Sequence, residues 1–246
     1  MPEVSIVTPC YNSLDVIQDA IISVRNQTFK DYEHIIVDDC STDGSYDFLI
    51  SLSLEDPKVR VLRLKVNSGA GVARNEAIRV AEGRYIAFLD SDDIWLPSKL
   101  EKQLFFMKNN KITLSYTSYE KIYESGARTG VVVSPPLKLS YAEMLKSNQI
   151  GCLTAIYDAG ELGKVFMPLI RKRQDYGLWL KILKLTPCAM GLAEPLALYR
   201  NRERSISSNK FGLLKYNWIL YRQFEKLSFL ESLYYLLCDI KSKLFK

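Results

Sequence analysis

The sequence has too few metal-binding and disulfide-forming side chains to be built around either. Its five cysteines are odd in number, form no C-x-x-C pair and are scattered along the chain, at Cys10, Cys40, Cys152, Cys188 and Cys238. This distribution argues against a disulfide framework and a cysteine zinc site, and it is typical of a reducing cytosol. The single histidine, His34, lies in an apolar segment, where we expect it to be structural.

Long apolar runs are also absent. No segment reaches the roughly 20 apolar residues that a membrane-spanning helix needs. The N-terminus enters a strand-like run at Val4 without a basic region followed by an apolar stretch, so the sequence does not resemble a signal peptide. We therefore expect a cytoplasmic location.

The chain also lacks the usual glycine-rich phosphate loops. Gly69-Ala70-Gly71 begins like a dinucleotide fingerprint, but Arg74 stands where the third glycine should be, and no G-x-x-x-x-G-K-[ST] loop occurs. We interpret these glycines as the turn that enters a helix. Arg74 is then a candidate to reach a phosphate or to pair with an aspartate, although a solvated helix residue is the alternative.

What the sequence does contain is ordinary for a folded domain. It has 246 residues, 48% hydrophobic and 25% charged, enough for one large or two small domains with a substantial core. The net charge of +5 and the pI near 8.8 are mildly basic. Such a charge fits nucleic acid, anionic lipid or a phosphorylated substrate. Of these we do not expect nucleic acid as a partner.

Strands and helices alternate through the first half. Apolar strands are predicted at residues 4–8, 34–37, 59–64 and 85–89, and each of the first three is followed by a helical pattern. This alternation predicts an α/β fold with a doubly wound, mostly parallel sheet covered by helices on both faces. Ligands of such sheets bind beyond the carboxyl ends of the strands. After residue 110 the alternation ends, with an antiparallel pair, a short helix near Ser140 and a strand at residues 152–157.

The stretch Asp90-Ser91-Asp92-Asp93 follows the fourth strand directly. Burying these carboxylates would be costly without a cation, so they must lie at the open end of the strand. Two of them can share a divalent ion, or one can hold the ion while the other holds a ligand hydroxyl. A turn that caps the next helix explains the same residues. These residues alone leave both interpretations open.

A second acidic position opens the helical run that contains Leu178 and Ile182. Asp175 lies at its start, where a carboxylate complements the helix dipole. A catalytic aspartate would fit the same place, with Trp179 on the following turn as a surface for stacking a sugar ring. The residues themselves do not choose between these roles.

The C-terminal segment, residues 210–246, has a different composition. Leucine and aromatic residues alternate with seven basic and three acidic residues, a surplus of four positive charges. We predict two amphipathic helices broken near Ser228. A basic, aromatic amphipathic helix fits a membrane surface, whereas a helix packed on the core or on a second subunit of a homodimer is an equal alternative.

Five motifs together resemble the family 2 inverting glycosyltransferases with the GT-A fold. They occur in the family's order and spacing at residues 4–12 (VSIVTPCYN), 36–44 (IVDDCSTDG), 67–75 (NSGAGVARN), 83–93 (GRYIAFLDSDD) and 174–180 (QDYGLWL). The resemblance covers roughly residues 1–205. It implies a GT-A domain over residues 1–209, with a nucleotide-sugar half at 1–95 and an acceptor half at 96–209, followed by a basic amphipathic tail at 210–246.

The resemblance also implies a donor pocket for a UDP-sugar. Pro9 and Tyr11 would line the base and the ribose, Asp39 would read the uracil-type base, and Arg74 would lie near the diphosphate.

The chemistry would fall to three aspartates. Asp90 and Asp92 match the D-x-D pair, with Asp90 towards the ribose and Asp92 on a Mg²⁺ or Mn²⁺ that bridges the diphosphate. Asp175 matches the general base of a single displacement. The sequence departs from the family at Gln174, where a glutamate is usual, and at Arg202, which stands where many members have a histidine. We therefore add Arg202 as a hypothetical diphosphate contact.

The expected function is transfer of a hexose or N-acetylhexosamine from a UDP-sugar to a growing cell-surface polysaccharide, such as an O-antigen, a capsule or an exopolysaccharide. The expected acceptor is polyprenyl-diphosphate-linked, and the tail would hold the enzyme on the inner face of the cell membrane. A nucleotidyltransferase is a weaker alternative, because residues 8–12 contain no glycine. A nucleotide-sugar-binding or scaffold protein without turnover is another.

Overall fold

Ten strands form one mixed sheet in the part of the chain that the structure describes. A computed structural model describes residues 1–202 and 210–244. The strands are β1 (Val4–Cys10), β2 (Tyr32–Asp38), β3 (Val59–Arg63), β4 (Tyr85–Phe88), β5 (Ile94–Trp95), β6 (Leu114–Ile122), β7 (Arg128–Val133), β8 (Lys138–Leu139), β9 (Ile156–Asp158) and β10 (Ala189–Arg200).

Helices cover the sheet and extend beyond its last strand. They are α1 (Ile17–Arg25), α2 (Ser45–Glu55), α3 (Ala70–Val80), α4 (Lys99–Asn110), α5 (Tyr141–Lys146), α6 (Ala159–Leu162), α7 (Gln174–Leu183), α8 (Lys210–Ile219) and α9 (Phe229–Leu244). A 3₁₀ turn spans Cys152–Thr154, and a π-helical turn spans Leu220–Phe224.

The first half of the sheet is parallel and doubly wound, as predicted. The strand order is β3-β2-β1-β4-β9-β6-β10-β5, and β1 lies between its parallel neighbours β2 and β4. Every residue of β1, β2 and β4 is buried, because helices cover both faces. Strands that diverge from a common neighbour leave a crevice at their carboxyl ends. Asp39 and the Asp90-to-Asp93 turn both lie at this edge.

The second half is mixed. Strand β9 pairs antiparallel with β4 and β6, whereas β10 runs parallel to β6. The predicted strand at residues 152–157 is wrong over its first half, because Cys152–Thr154 forms the 3₁₀ turn and only Ile156–Asp158 joins the sheet. This turn lies at the junction between the two halves of the sheet.

His34 is structural, as expected. Its ring is buried in β2, and Nε2 lies 2.9 Å from Oγ1 of Thr8 in the neighbouring strand. Burial lowers the pKa of His34 to about 3, so the imidazole is neutral at physiological pH.

The tail packs one face onto the body of the protein. Tyr221 is fully buried, and its hydroxyl donates to the carbonyl of Leu145 at 2.9 Å. The buried carboxylate of Asp239 accepts hydrogen bonds from Asn217 and Ser147, which link α9 to α8 and to the residue after α5. The alternative in which the C-terminal helices pack on the core therefore describes this inner face. The predicted break near Ser228 is confirmed, because α9 begins at Phe229.

The outer face of α9 has a contiguous apolar surface, which we call the α9 stripe. It consists of Phe229, Leu230, Leu233, Tyr234 and Leu237, whose exposures range from 39% to 75%. Their spacing places them on one side of the helix. No helix in residues 1–202 or 210–244 combines the length and the apolarity needed to cross a bilayer.

Candidate active site

A tight turn holds the acidic cluster at the end of β4. The backbone N–H of Asp93 donates to the carbonyl of Asp90 at 3.1 Å. Ser91 is anchored to the loop after β1, because its Oγ lies 2.9 Å from Oγ of Ser13. The three carboxylates therefore lie at the crevice, as the sequence predicts.

Arg74 supplies the cation that this turn requires. It projects from the second turn of α3, its side chain is only 8% exposed, and Nη2 forms an ion pair with Oδ1 of Asp90. Burial alone would lower the pKa of Arg74, but Asp90 raises it above its ordinary value. The alternative of a solvated helix residue is wrong. Nε of Arg74 is shielded from solvent and has no partner among the described residues.

The two remaining aspartates of the turn have raised pKa values. Burial, and then the charge of Asp90, raises the pKa of Asp92 to about 6. Burial, and then the charges of Asp92 and Asp90, raise the pKa of Asp93 well above its usual value. Accumulated carboxylates of this kind are stabilised when a cation binds beside them.

Arg200 fixes this turn from the far side of the sheet, and sequence reasoning assigned it no role. Its backbone N–H donates to Oδ1 of Asp93 at 2.9 Å, and its Nε donates to the carbonyl of Asp92 at 2.9 Å. The guanidinium is buried and also pairs with Asp19 at 2.6 Å. Asp93 therefore anchors the turn to β10.

Arg202 lies near the same carboxylates but already has acidic partners. Its Nη2 is 3.0 Å from Oδ2 of Asp15, and its Nε is 3.6 Å from Oε1 of Glu124. Burial and the charge of Asp90 raise the pKa of Asp92, and the positive charge of Arg202 acts in the opposite direction. A diphosphate contact by Arg202 stays a prediction.

Asp39 shapes the predicted base pocket. Its two carboxylate oxygens accept the backbone N–H groups of Ser68 and Gly69, both at 2.7 Å. A carboxylate keeps further lone pairs for a ligand donor, so this bonding is compatible with base recognition. Pro9 is buried within β1, and Tyr11 just beyond that strand is 48% exposed at the crevice.

Asp175 occupies the second position of α7 and is partly exposed. Nδ2 of Asn148 donates to its Oδ2 at 3.2 Å. Sequence reasoning missed Asn148, since it is 27 residues away and lies in no motif. It orients the carboxylate that the family resemblance assigns as the base.

The predicted stacking surface at Trp179 is wrong. Trp179 is fully buried, and its ring meets Phe88 of β4 edge-on at 5.5 Å between centroids. Residue 179 lies one turn after Asp175 on a helix that buries nearly all of its length against the sheet. Trp179 is therefore not accessible for stacking.

The two halves of the site converge around Cys152. Burial raises the pKa of its thiol, Arg74 opposes that shift, and Asp90 and Asp175 add to it. Asp175 also acts on Arg74, whose pKa it raises together with Asp90. Asp175 therefore belongs to the same charge environment as Arg74 and Asp90, although it comes from the other half of the chain.

A close backbone approach joins the helices that carry Arg74 and Asp175. A Cβ atom at Gly71 would lie 2.6 Å from Cγ and 3.2 Å from Cβ of Gln174. Glycine at this position lets the first turn of α3 contact the first turn of α7.

The carboxylates at the end of β4 fit a cation that binds together with a substrate. Within residues 1–202 and 210–244, no group of three acidic, histidine or cysteine side chains is arranged as a complete metal site. Mg²⁺ and similar ions are commonly held by one or two carboxylates together with substrate phosphates. Asp92, with its raised pKa beside Asp90, provides such a partial site.

Comparison with known proteins identifies the family. Residues 5–156 match the sequence profile of glycosyl transferase family 2. The chain belongs to this family. It is 46% identical to the putative teichuronic acid biosynthesis glycosyltransferase TuaG of Bacillus subtilis, over 94% of this chain and 92% of that protein.

Two further relatives extend the comparison. The family 2 chain is 40% identical to the UDP-Glc:alpha-D-GlcNAc-diphosphoundecaprenol beta-1,3-glucosyltransferase WfgD of Escherichia coli, over 95% of this chain and 90% of that protein. It superposes on S. aureus TarS 1-349 in complex with UDP-GlcNAc with a TM-score of 0.74 at 20% identity. That match covers 89% of this chain and 65% of the TarS fragment. The GT-A fold predicted from the motifs is confirmed.

The contact at Gly71 gives a test of the coupling between the halves. We expect Gly71→Ala to displace the first turn of α7, and with it Asp175, and to lower kcat by about tenfold to a hundredfold, as small misplacements of catalytic groups do. Steady-state kcat and donor KM, with circular dichroism to verify folding, measure the effect.

The matched control removes the clashing atoms. Gln174→Ala deletes Cγ, so the Gly71→Ala/Gln174→Ala double variant should recover most of the activity of Gln174→Ala alone. Normal turnover in Gly71→Ala, or no recovery in the double variant, would show that this contact does not position the base.

Proposed function

We propose that this family 2 glycosyltransferase is a metal-dependent inverting enzyme that uses a UDP-sugar. The donated group is a hexose or N-acetylhexosamine, and the acceptor is a lipid-linked saccharide of cell-surface polysaccharide biosynthesis. The observation that carries the proposal is the contact between Gly71 and Gln174, which brings the helix of Asp175 against the helix whose Arg74 pairs with Asp90. A nucleotide end and a proton-accepting end thereby face one crevice.

The donor would lie across the ends of β1, β2 and β4. Tyr11 offers an exposed ring for the base, and Asp39 holds the loop that closes this pocket. Asp90 would accept a ribose hydroxyl while its ion pair with Arg74 holds it in place. Asp92 would hold a Mg²⁺ or Mn²⁺ ion, which when bound supplies Lewis-acid stabilisation of the departing nucleoside diphosphate.

Asp175 would perform the proton transfer. Its carboxylate, oriented by Asn148, accepts the proton of an acceptor hydroxyl as that oxygen forms a bond to the anomeric carbon. The bond from the anomeric carbon to the diphosphate oxygen breaks in the same step, and UDP carries away the electron pair. A single displacement inverts the anomeric centre without a covalent intermediate. The crevice has to exclude water, since water would otherwise take the acceptor's place.

The relatives support a lipid-linked acceptor. WfgD is named for transfer from UDP-Glc to GlcNAc-diphosphoundecaprenol, and TuaG is named for teichuronic acid biosynthesis. An enzyme that works on such acceptors benefits from residence at the membrane. We propose that the α9 stripe provides this contact on the inner face of the cell membrane, with exposed Lys226 and Lys241 at its two ends attracting anionic lipid.

One experiment distinguishes the proposed metal-binding role of Asp92 from the proposed role of Asp175 as the base. We expect Asp92→Asn to abolish the Mn²⁺-dependent part of UDP binding and Asp175→Asn to leave UDP binding intact, since only Asp92 is placed on the metal. Both variants should lose transfer by at least about a hundredfold. Calorimetry with UDP and Mn²⁺, together with UDP release over a panel of UDP- and GDP-sugars with and without EDTA, provides the measurements.

Three results would contradict these assignments. The first is transfer that survives EDTA, which would show that the reaction does not depend on a metal ion. The second is full activity in Asp175→Asn, which would show that Asp175 is not the base. The third is nucleotide-sugar binding by folded wild-type protein without transfer to any acceptor, which would favour the binding-protein alternative.

Membrane contact can be tested by replacing exposed leucines, because such substitutions change the stability of the fold little. We expect Leu230→Gln/Leu237→Gln to lower co-sedimentation with phosphatidylglycerol-containing vesicles by about tenfold, because two apolar side chains leave the interface. Leu54→Gln/Leu185→Gln is the matched control, with leucines that are 84% and 57% exposed elsewhere on the protein. Equal vesicle binding by both double variants would refute the membrane role. Loss of dimerisation in the α9 variant alone would instead identify a subunit interface.

A further inference from the structure

Three consecutive basic residues precede the helix that carries Asp175. This basic segment, Arg171-Lys172-Arg173, ends where α7 begins at Gln174. The exposed N–H groups of a helix N-terminus favour anions. The segment therefore adds side-chain cations to a backbone region that already attracts negative charge, two to four residues before the proposed base.

Arg173 is held in a conformation that faces the junction of α7 and the tail. Its φ of 68° is left-handed, which is uncommon for a residue other than glycine. Its guanidinium carbon lies 5.9 Å from the ring centroid of Tyr176. Burial raises the pKa of Tyr221 in the tail, and Arg173 opposes that shift. Arg173 thus lies between the catalytic helix and the C-terminal helices.

Arg171 lies on the donor side of the same helix end. It is exposed, its Nη1 is 3.4 Å from the position a Cβ would take at Gly69, and its Nη2 makes a long 3.4 Å contact with Oδ1 of Asn67. The two arginines of the segment therefore flank the N-terminus of α7, one towards the donor loop and one towards the tail.

These two guanidinium groups differ from the other arginines around the site. Arg74, Arg200 and Arg202 each form an ion pair with an aspartate. Within the described residues, neither Arg171 nor Arg173 has a carboxylate at ion-pair distance, and Nε of Arg173 is shielded from solvent without a partner. Unneutralised arginines beside a catalytic carboxylate are typical of a site whose anion is supplied by the substrate.

The acceptor class of the proposed function carries such an anion. In a sugar linked through its anomeric carbon to a diphosphate, the diphosphate lies about one ring's width from the hydroxyl that attacks. With that hydroxyl at Asp175, the phosphates would be within reach of the basic segment, which ends two residues before Asp175. The arginine fork matches two phosphate oxygens at once.

We propose that Arg171 and Arg173, with the N-terminal amides of α7, bind the diphosphate that joins the acceptor saccharide to its lipid. This inference rests on the proposed function, because it takes its ligand from the proposed acceptor. It goes further by assigning a binding site for the acceptor's charged group. The donor diphosphate keeps its own partners at Arg74 and Asp92.

The test compares two soluble probes that differ only in the diphosphate. One is N-acetylglucosamine linked through a diphosphate to a short alkyl chain, and the other is the phosphate-free glycoside of the same sugar and chain. Binding is measured by calorimetry with UDP and Mn²⁺ at saturation, so that the donor site is filled. Acceptor KM and donor KM are measured in parallel.

The variants preserve the fold. Arg171→Gln changes an exposed side chain, and Arg173→Asn places a residue that tolerates left-handed φ. The matched control is Lys164→Gln, an exposed cation whose Nζ contacts the carbonyl of Arg79 near the far end of α3, roughly 15 Å along that helix from Gly69.

We expect wild-type protein to bind the diphosphate probe more tightly than the phosphate-free probe. The Arg171→Gln/Arg173→Asn variant should lose about tenfold to a hundredfold of that preference, the loss of one or two charge-assisted hydrogen bonds. Each single variant should lose part of it, whereas Lys164→Gln should keep it.

Equal binding of both probes by wild-type protein overturns the inference, as does an unchanged preference in the double variant. A raised donor KM with unchanged acceptor binding assigns the segment to the donor diphosphate and also overturns it. Tight, Arg171-dependent binding of the diphosphate probe without transfer upholds the inference while contradicting the proposed function.

Discussion

The buried ion pair between Arg74 and Asp90 is the interaction on which the site depends. Three carboxylates at the end of β4 would repel one another in a partly buried crevice, and Arg74 compensates one of them from α3. Its position requires the first turn of α3 to lie close to the sheet edge. At that position Gly71 touches Gln174, and the start of α7 is fixed as well. One charge pair thereby links the nucleotide end of the crevice to the proposed base.

The remaining carboxylates are held under electrostatic strain. Arg200 pins the backbone of Asp92 and the side chain of Asp93 from β10, so the turn cannot relax away from the crevice. Burial and the charge of Asp90 raise the pKa of Asp92 in this fixed turn. A partial site of this kind has little use for a metal alone and gains most when phosphate oxygens complete the coordination.

The parts of the site carried by local signals were predictable. Strand β4 and the acidic turn follow from an apolar run that ends in aspartates, and the alternation of strands and helices places that turn at a sheet edge. Partnerships over long separations were not predictable from pattern. Asn148 reaches Asp175, and Arg200 reaches Asp93, across loops that carry no motif. Trp179 failed as a stacking surface because the sequence does not state how much of α7 the sheet covers. The tail has two apolar faces, and periodicity alone could not assign one to the core and the other to the exterior.

The central claim is that Asp175 acts as a base in a single displacement at the donor's anomeric carbon. The stereochemistry of the product tests it most directly. With the donor that supports turnover, an α-linked UDP-sugar such as UDP-glucose, the anomeric proton of the product is assigned by NMR from its coupling to the neighbouring ring proton. The account predicts a β-linked product formed without an α-linked intermediate. An α-linked product would show retention of configuration, and it would contradict the assignment of Asp175 as the sole catalytic carboxylate of an inverting reaction.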